Sequence, residues 1–480
     1  MKLAKLKCIA AITLLVALAI PVSLEAQEHK SKHQKYKLID LGTFGGPVSY
    51  NSNDPSGGGG ASGILSPRGS VVGAADTSIP DPNYPNTCLV CPLDPLILHA
   101  FRWQDGVLTD LGALPGVNSS FANWISPKGL VVGFSENSAI DPLLGVPEVD
   151  AVLWKDGEVF NLGTIEGGYE SNAFAVNDRG QVAGVFVNTI PDPFSPFGLQ
   201  VRAFLWQNGV MEDLGTLDTG TTASAWFMNE SGQIAGSSYT NTTPNPVTGV
   251  PTFDPFLWET GSMKDLGTLG GTFGFPNDLN NRGEVVGQSN LAGDLSAHPF
   301  LWTEGSLEDL GTLGGSNGEA TWINDEGQIV GTADLPVFGH HAFLWKPGMK
   351  KLKDLGTVAG DPCSHALNIN LQGQVVGNSS DCVTPHHAFL WEKGQMVDLN
   401  KLVQSKSGLQ LADALNINER GEIAGLGLPP GCGDPFVCGH AFLLIPCDHN
   451  HDGSGNCEDN SGGTTTTAQS SSEPVTQNPK

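Results

Sequence analysis

Gly339-His340-His341-Ala342-Phe343-Leu344-Trp345, a short turn, then Leu352-Lys353-Asp354-Leu355-Gly356 make one phrase that returns eight times along this 480-residue chain. Its tryptophan falls at Trp103, Trp154, Trp206, Trp258, Trp302, Trp345 and Trp391, with Leu444 in the eighth slot, at spacings of 43 to 53 residues. A second phrase keeps step, Ile323-Asn324-x-x-Gly327-Gln328-Ile329-Val330-Gly331 in one copy. Its closing glycines are Gly73, Gly133, Gly184, Gly236, Gly287, Gly331, Gly377 and Gly425. A fixed period of this size marks a repeat architecture.

Each unit reads as four short strands. Strand a runs around Ala320–Ile323, strand b covers Gln328–Val330, strand c is Phe343–Trp345 and strand d is Leu352–Leu355. Between a and b, the Asn of Asn-x-x-Gly can cap the turn and the Gly can take positive φ. Between c and d stand Asp105-Gly106, Asp156-Gly157 and Asn208-Gly209, a strong hairpin signal. Strands b and c are apolar on consecutive residues, as in sheets covered on both faces. A four-stranded antiparallel unit buried between copies of itself is a β-propeller blade.

The array begins with a d-like strand, residues 37–41, that has no c before it, and ends with a c-like strand, residues 441–445, that has no d after it. Pairing the two would close a ring and remove exposed sheet edges. The expected fold is therefore all-β, an eight-bladed propeller, with seven blades or an open β-solenoid as alternatives. The expected organisation is a signal peptide at 1–26, a linker at 27–35, repeats at 36–446, a calcium-type loop at 447–460 and a disordered Thr/Ser-rich tail at 461–480.

With 39% apolar residues, 62 glycines and 32 prolines, the chain is a turn-rich globular one. Its net charge of −26 argues against nucleic acid and anionic membranes, which require a basic footprint. The N-terminus has the form of an export signal: Lys2, Lys5 and Lys7, an apolar run from Ile9 to Ile20, and Leu24-Glu25-Ala26 as the cleavage site. No later segment is long and apolar enough to span a bilayer. The eight cysteines after Cys8 fit disulfides in an oxidising compartment. Cys363 with Cys382 and Cys432 with Cys438 are the expected pairs. Cys88-x-x-Cys91 reads as a tight disulfide, with a redox pair or half a zinc site as alternatives.

His341-Ala342-Phe343-Leu344-Trp345 and Asp309-Leu310-Gly311-Thr312-Leu313-Gly314-Gly315 resemble the HAF-repeat family of extracellular bacterial proteins. The likeness spans the whole array, although Asp150, Arg202 and Asp254 replace the His and Asn161 replaces the Asp. It implies a repeat scaffold outside the cytoplasm and brings no activity, ligand or catalytic residue with it.

Function has to be read from sites. The strand-d aspartates recur in nearly every unit and so serve one local purpose, accepting backbone N–H groups where the strand ends. The strand-c histidines repeat for the same reason; only His340-His341 and His386-His387 suggest clustering. No nucleophile elbow, zinc-protease helix or phosphate loop is present, and Gly57 to Gly60 is a glycine run without the lysine a phosphate loop needs. Asymmetry lies instead in the b–c loops, which are long and Asp-Pro-containing in the first four units and short in the last four. Long loops on a rigid scaffold are where binding concentrates. The candidate ligand-binding residues there are Tyr84, Asp192, Phe194 and Phe253. In the tail, Asp448, Asn450, Asp452 and Asp459 have calcium-loop spacing, with Gly453 at the sharp turn. The chain is thus expected to be a secreted, non-catalytic, monomeric scaffold that binds a surface glycan or protein through the long-loop face, with Ca²⁺ as the one cofactor to consider. A propeller hydrolase or lyase acting on extracellular polysaccharide and a structural adhesion module are the alternatives.

Overall fold

The computed structural model describes residues 33–447, apart from 52–62, 89, 166, 196, 404–407 and 434. The export signal, the Gly57 to Gly60 run, the calcium-type loop and the tail lie outside the described residues. Lys35 already belongs to the repeats, since its carbonyl accepts the Cys447 N–H at 2.9 Å.

The protein is all-β and built of four-stranded antiparallel sheets, each in the a-b-c-d order of a propeller blade. In the sixth sheet the strands are Gly318–Ile323, Ile329–Asp334, His340–Trp345 and Lys353–Asp354. The third runs Glu170–Val176, Val182–Pro191, Leu199–Gln207 and Val210–Asp213. The fourth runs Ala223–Met228, Ile234–Tyr239, Phe253–Glu259 and Ser262–Asp265, and a single parallel pair, Phe253 with Phe273, joins it to the fifth. The last sheet combines both ends of the array: Tyr36–Asp40 pairs antiparallel with His440–Pro446, Lys37 opposite Ile445 and Asp40 opposite Phe442.

The repeated residues have a common packing cause. Gly331 faces Phe343 across strands b and c, and on the other side a Cβ at Gly331 would lie 2.0 Å from the Glu319 carbonyl oxygen. Strand a approaches that closely because it carries a β-bulge there: Ala320 pairs with Gly331 and Trp322 with Val330, leaving Thr321 unpaired. The other closing glycines meet strand a in the same way, so any side chain is excluded. The c-strand phenylalanines, among them Phe101, Phe204, Phe343 and Phe442, are fully buried. Each contributes roughly 1.5–3 kcal/mol by leaving water.

The c–d turns put both central residues at positive φ, for example Asp105 at 50° and Gly106 at 87°, as a two-residue hairpin turn requires. Pro347 cannot adopt that φ, and in this copy strand d is cut to Lys353–Asp354.

The a–b turn asparagines link sheet to sheet. Asn324 Oδ1 accepts the Glu326 and Gln328 N–H groups within its own turn, while its Nδ2 donates to the Asn370 carbonyl of the next sheet at 3.0 Å. Asn177, Asn229, Asn280 and Asn370 repeat the pattern, and Asn418 of the last sheet donates to the Ser66 carbonyl of the first at 3.1 Å. A cavity of about 350 Å³ beside these turns has lining residues from every sheet, among them Leu65, Trp124, Asn229, Asn324 and Asn418.

Disulfides join Cys88 to Cys91, Cys363 to Cys382 and Cys432 to Cys438. Cys88 and Cys91 are therefore not thiolates for a zinc ion, although Glu136 lies beside their sulfurs. Cys457 lies outside the described residues.

Candidate functional site

The strand-d aspartates act at the turn, as their recurrence predicts. Asp110, Asp309 and Asp354 each accept a glycine N–H two residues on, at 2.7 Å. Their carboxylates also hold the strand-c histidine Nδ1, as in His99–Asp110, His298–Asp309, His341–Asp354 and His440–Asp40, at 2.9 to 3.0 Å. Where the residues change, the pair changes with them: Arg202 meets Asp213, and Asp150 accepts from Asn161 Nδ2 at 2.7 Å. The seventh sheet departs from the rule. His387 turns to Asp361 at 2.8 Å, and Asp398 instead caps a short 3₁₀ turn. The histidine doublets find other partners: His340 packs edge-on against His365 at 4.3 Å between ring centres, and His386 reaches Asp381 at 3.4 Å.

The long b–c loops are mostly extended hairpins. In the first three sheets strand b runs ten residues, and the tip is closed by an Asp-Pro step at Asp81, Asp141 and Asp192. Each Asp Oδ1 accepts the N–H two residues on, from Asn83, Leu143 and Phe194, forming an Asx turn. Asn245-Pro246 does the same in the fourth. The loop insertions are thus one motif repeated four times.

Between the third and fourth sheets, under these hairpins, lies a cavity of about 300 Å³. It occupies the b–c end of the sheets, opposite the a–b turns. Its wall is aromatic: Phe174 packs on Trp226 at 4.7 Å between ring centres, and Phe253 meets Tyr239 edge-on at 5.2 Å. Phe197 and, from the first sheet's long loop, Val90 complete the enclosure. Phe174 and Trp226 are the unpaired bulge residues of their strands. At that position Asn123, Asn277 and Thr321 donate to a carbonyl of the next sheet, at 2.7 to 2.9 Å. Phe174 has no donor for that bond and Trp226 Nε1 finds no partner, and both rings face a cavity. Leu367 and Leu415 are apolar at the same position in the last two sheets.

The polar groups of the wall are incompletely satisfied. Glu170 Oε2 accepts the Val149 N–H at 3.0 Å and Asn172 Oδ1 accepts from Asn123 at 2.8 Å. Glu170 Oε1, Asn172 Nδ2 and Trp226 Nε1 are buried with no partner. Burial, reinforced by Asp141, Glu148 and Asp150, pushes the Glu170 carboxyl up to about 8, so it is mostly protonated at neutral pH. Among the described residues lining the cavity it is the sole carboxylic acid.

Of the residues picked from the sequence, Phe253 lines this cavity. Asp192 is 1% exposed and holds the loop: its Oδ2 also accepts from Thr221 and Thr222. Phe194 supports the roof through its carbonyl, which accepts from Tyr239 Oη at 3.0 Å. Tyr84 is 48% exposed, at the tip of the first hairpin beside a cis peptide bond to Pro85. Asp448, Asn450, Asp452 and Asp459 fall outside the described residues. Glu170, Asn172, Phe174 and Trp226 were not singled out from sequence. The sequence carries no consistent signal for them, since the bulge position is polar at Asn123, Asn277 and Thr321 but apolar at Phe174, Trp226, Leu367 and Leu415.

No protein-family model and no curated protein matches the sequence. Several solved structures are similar to it in part. The β-propeller domain of the Trilobed protease from Pyrococcus furiosus is 12% identical, with a TM-score of 0.38 over 62% of this chain and 84% of that one. Porphyromonas gingivalis dipeptidyl peptidase 4 is 10% identical, with a TM-score of 0.43; the match covers 69% of this chain and 54% of the peptidase. TolB from Acinetobacter baumannii is 10% identical, with a TM-score of 0.32 over 78% and 79% of the two chains.

Proposed function

We propose that the chain is an exported, HAF-type, closed eight-bladed β-propeller that binds an extracellular protein or glycan through the face bearing the long b–c hairpins. Closure is supported by the pairing of Tyr36–Asp40 with His440–Pro446 and by the Asn418 bond to Ser66. Export fits the three disulfides and the N-terminal sequence pattern. The observation that carries the reading is the aromatic cavity under those hairpins, where the repeat loses its polar bulge residues. Apolar concavities with a few unsatisfied polar groups are the usual form of a binding site.

A hydrolase or lyase of the acid-pair kind would need a second carboxyl facing Glu170 across the cavity. Among the described residues lining it there is none. Two other buried acids are bound to backbone N–H groups: Asp278, in the cavity beside the a–b turns, accepts from Ile323 and Leu279, and Glu136 accepts from Ser119.

The test compares the mature chain with a variant trimmed at residues 78–97 and 188–200, on glycan arrays and in pull-downs from the secreted fraction. Binding that disappears on trimming, with the melting transition kept, supports the reading. Equal binding by both proteins overturns it.

A further inference from the structure

We propose, taking the long-hairpin face as the binding face, that its cavity receives an uncharged two-ring small molecule carrying one hydrogen-bond acceptor. Size comes first. A dry apolar cavity of roughly 150 Å³ accepts one benzene ring, and this one has about 300 Å³. The shape of the wall follows. Phe174 and Trp226 are tilted by 42° and Tyr239 stands edge-on to Phe253, which presents ring faces and edges from two sheets. Flat rings fill such a space through offset and edge-to-face contacts better than a flexible chain does.

Charge is excluded by what is missing around the cavity. No Lys, Arg or His is among the described residues lining it, so an anion would enter without a partner. A cation would find Glu170 mostly protonated at neutral pH. The acceptor requirement comes from the unmet donors. Trp226 Nε1 and Asn172 Nδ2 are buried without partners, and a buried donor without an acceptor is costly. A ligand carbonyl reaching either through a small side-chain rotation would relieve that cost.

The experiment is calorimetric titration of the full mature chain at pH 7 with 2-naphthamide and with its charged isosteres 2-naphthoate and 2-naphthamidinium. The expected result is saturable one-to-one binding of the amide, with both ions at least about tenfold weaker. Trp226→Phe, which keeps a ring and removes the donor, should weaken the amide about fivefold. Val201→Trp, which fills the cavity, should abolish binding. An ion that binds as tightly as the amide overturns the ligand class, and so does an amide that fails to bind. Neither result touches the binding-face reading, which stands or falls on the trimmed-loop comparison.

Discussion

Asp254 stands where four other sheets place a histidine against the strand-d aspartate, and it shows what the repeat protects against. Its Oδ1 is buried without a partner. Burial and, next, Asp265 push its carboxyl up to about 7. The folded state therefore keeps a proton that the unfolded chain has lost by pH 5, so the site weakens the fold progressively between about pH 4 and pH 7 and no further above that. Asp254→His would recreate the His–Asp pair of the first, fifth, sixth and last sheets. The expected outcome is a gain of about 1 kcal/mol at pH 5, where the imidazolium pairs with Asp265, and at least as large a gain at pH 8, where the cost of the buried carboxylate is removed, read as the midpoint of denaturant unfolding at each pH. A loss of stability at pH 8 would show that the pair depends on more than these two side chains. Glu170 is raised in the same direction, to about 8. Glu170→Gln keeps an acceptor for the Val149 N–H and cannot ionise. It should stabilise the protein by roughly 1–2 kcal/mol at pH 8.5 and leave pH 5 unchanged.

The a–b turn shows what one asparagine does for a strand pair, and it separates local from inter-sheet bonding. Asn324→Ala loses two turn bonds and the bond to Asn370, and should cost about 3 kcal/mol. Asn324→Asp keeps the turn bonds but sets a carboxylate against the Asn370 carbonyl, and should cost about 1–2 kcal/mol. Equal costs in chemical unfolding would mean that the inter-sheet bond contributes nothing. These elements were legible in the sequence because they recur: the Asn-x-x-Gly turn in six units, the c–d turn glycine in seven, and the strand-c His and strand-d Asp, though not their pairing, stand out as a period. The Gly of strand b was legible as a position, but its cause was not, because a bulge in the neighbouring strand leaves no residue type of its own. The Asp-Pro tips were visible as proline-rich insertions without being seen as one motif, since the intervening loop lengths differ. Phe253 was found and Glu170 was not. Phe253 sits in a conspicuous long loop, whereas Glu170 becomes special only when burial removes its water, and burial is a property of the packed sheets.

At the scale of the whole molecule the raised carboxyls act together. Asp76, Glu136, Glu170, Asp254, Asp278 and Asp413 are all held up to between about 6 and 8, each with burial as the largest cause. Each binds a proton in the folded state that the unfolded chain releases near pH 4, so stability should fall as pH rises from about 5 to 8. His440, raised by its bond to Asp40, works in the same sense: its contribution is complete at low pH and fades as pH rises through its folded value. Thermal melting across this range should therefore peak near pH 5, and a flat or rising profile would contradict the assignment. The same His440–Asp40 pair sits on the contact between the two ends of the repeat array, strands Tyr36–Asp40 and His440–Pro446, which are 400 residues apart at that pair. Without Tyr36–Asp40, the strand His440–Pro446 would present an unpaired edge, and Leu38 and Ile39 would no longer cover Leu444 and Leu443. Deleting residues 27–42 removes few apolar side chains, yet it also takes away Tyr36, fully buried in the last sheet's core. The deletion should lower the melting temperature far more than that lost area explains and should drive association through the exposed edge. Cysteines at a facing non-hydrogen-bonded pair of these strands should cross-link readily in the intact chain, because Cα separations there suit a disulfide. A deletion variant that stays monomeric and melts like the parent would mean that the two ends are held without this strand pair, and the closed ring would have to be abandoned.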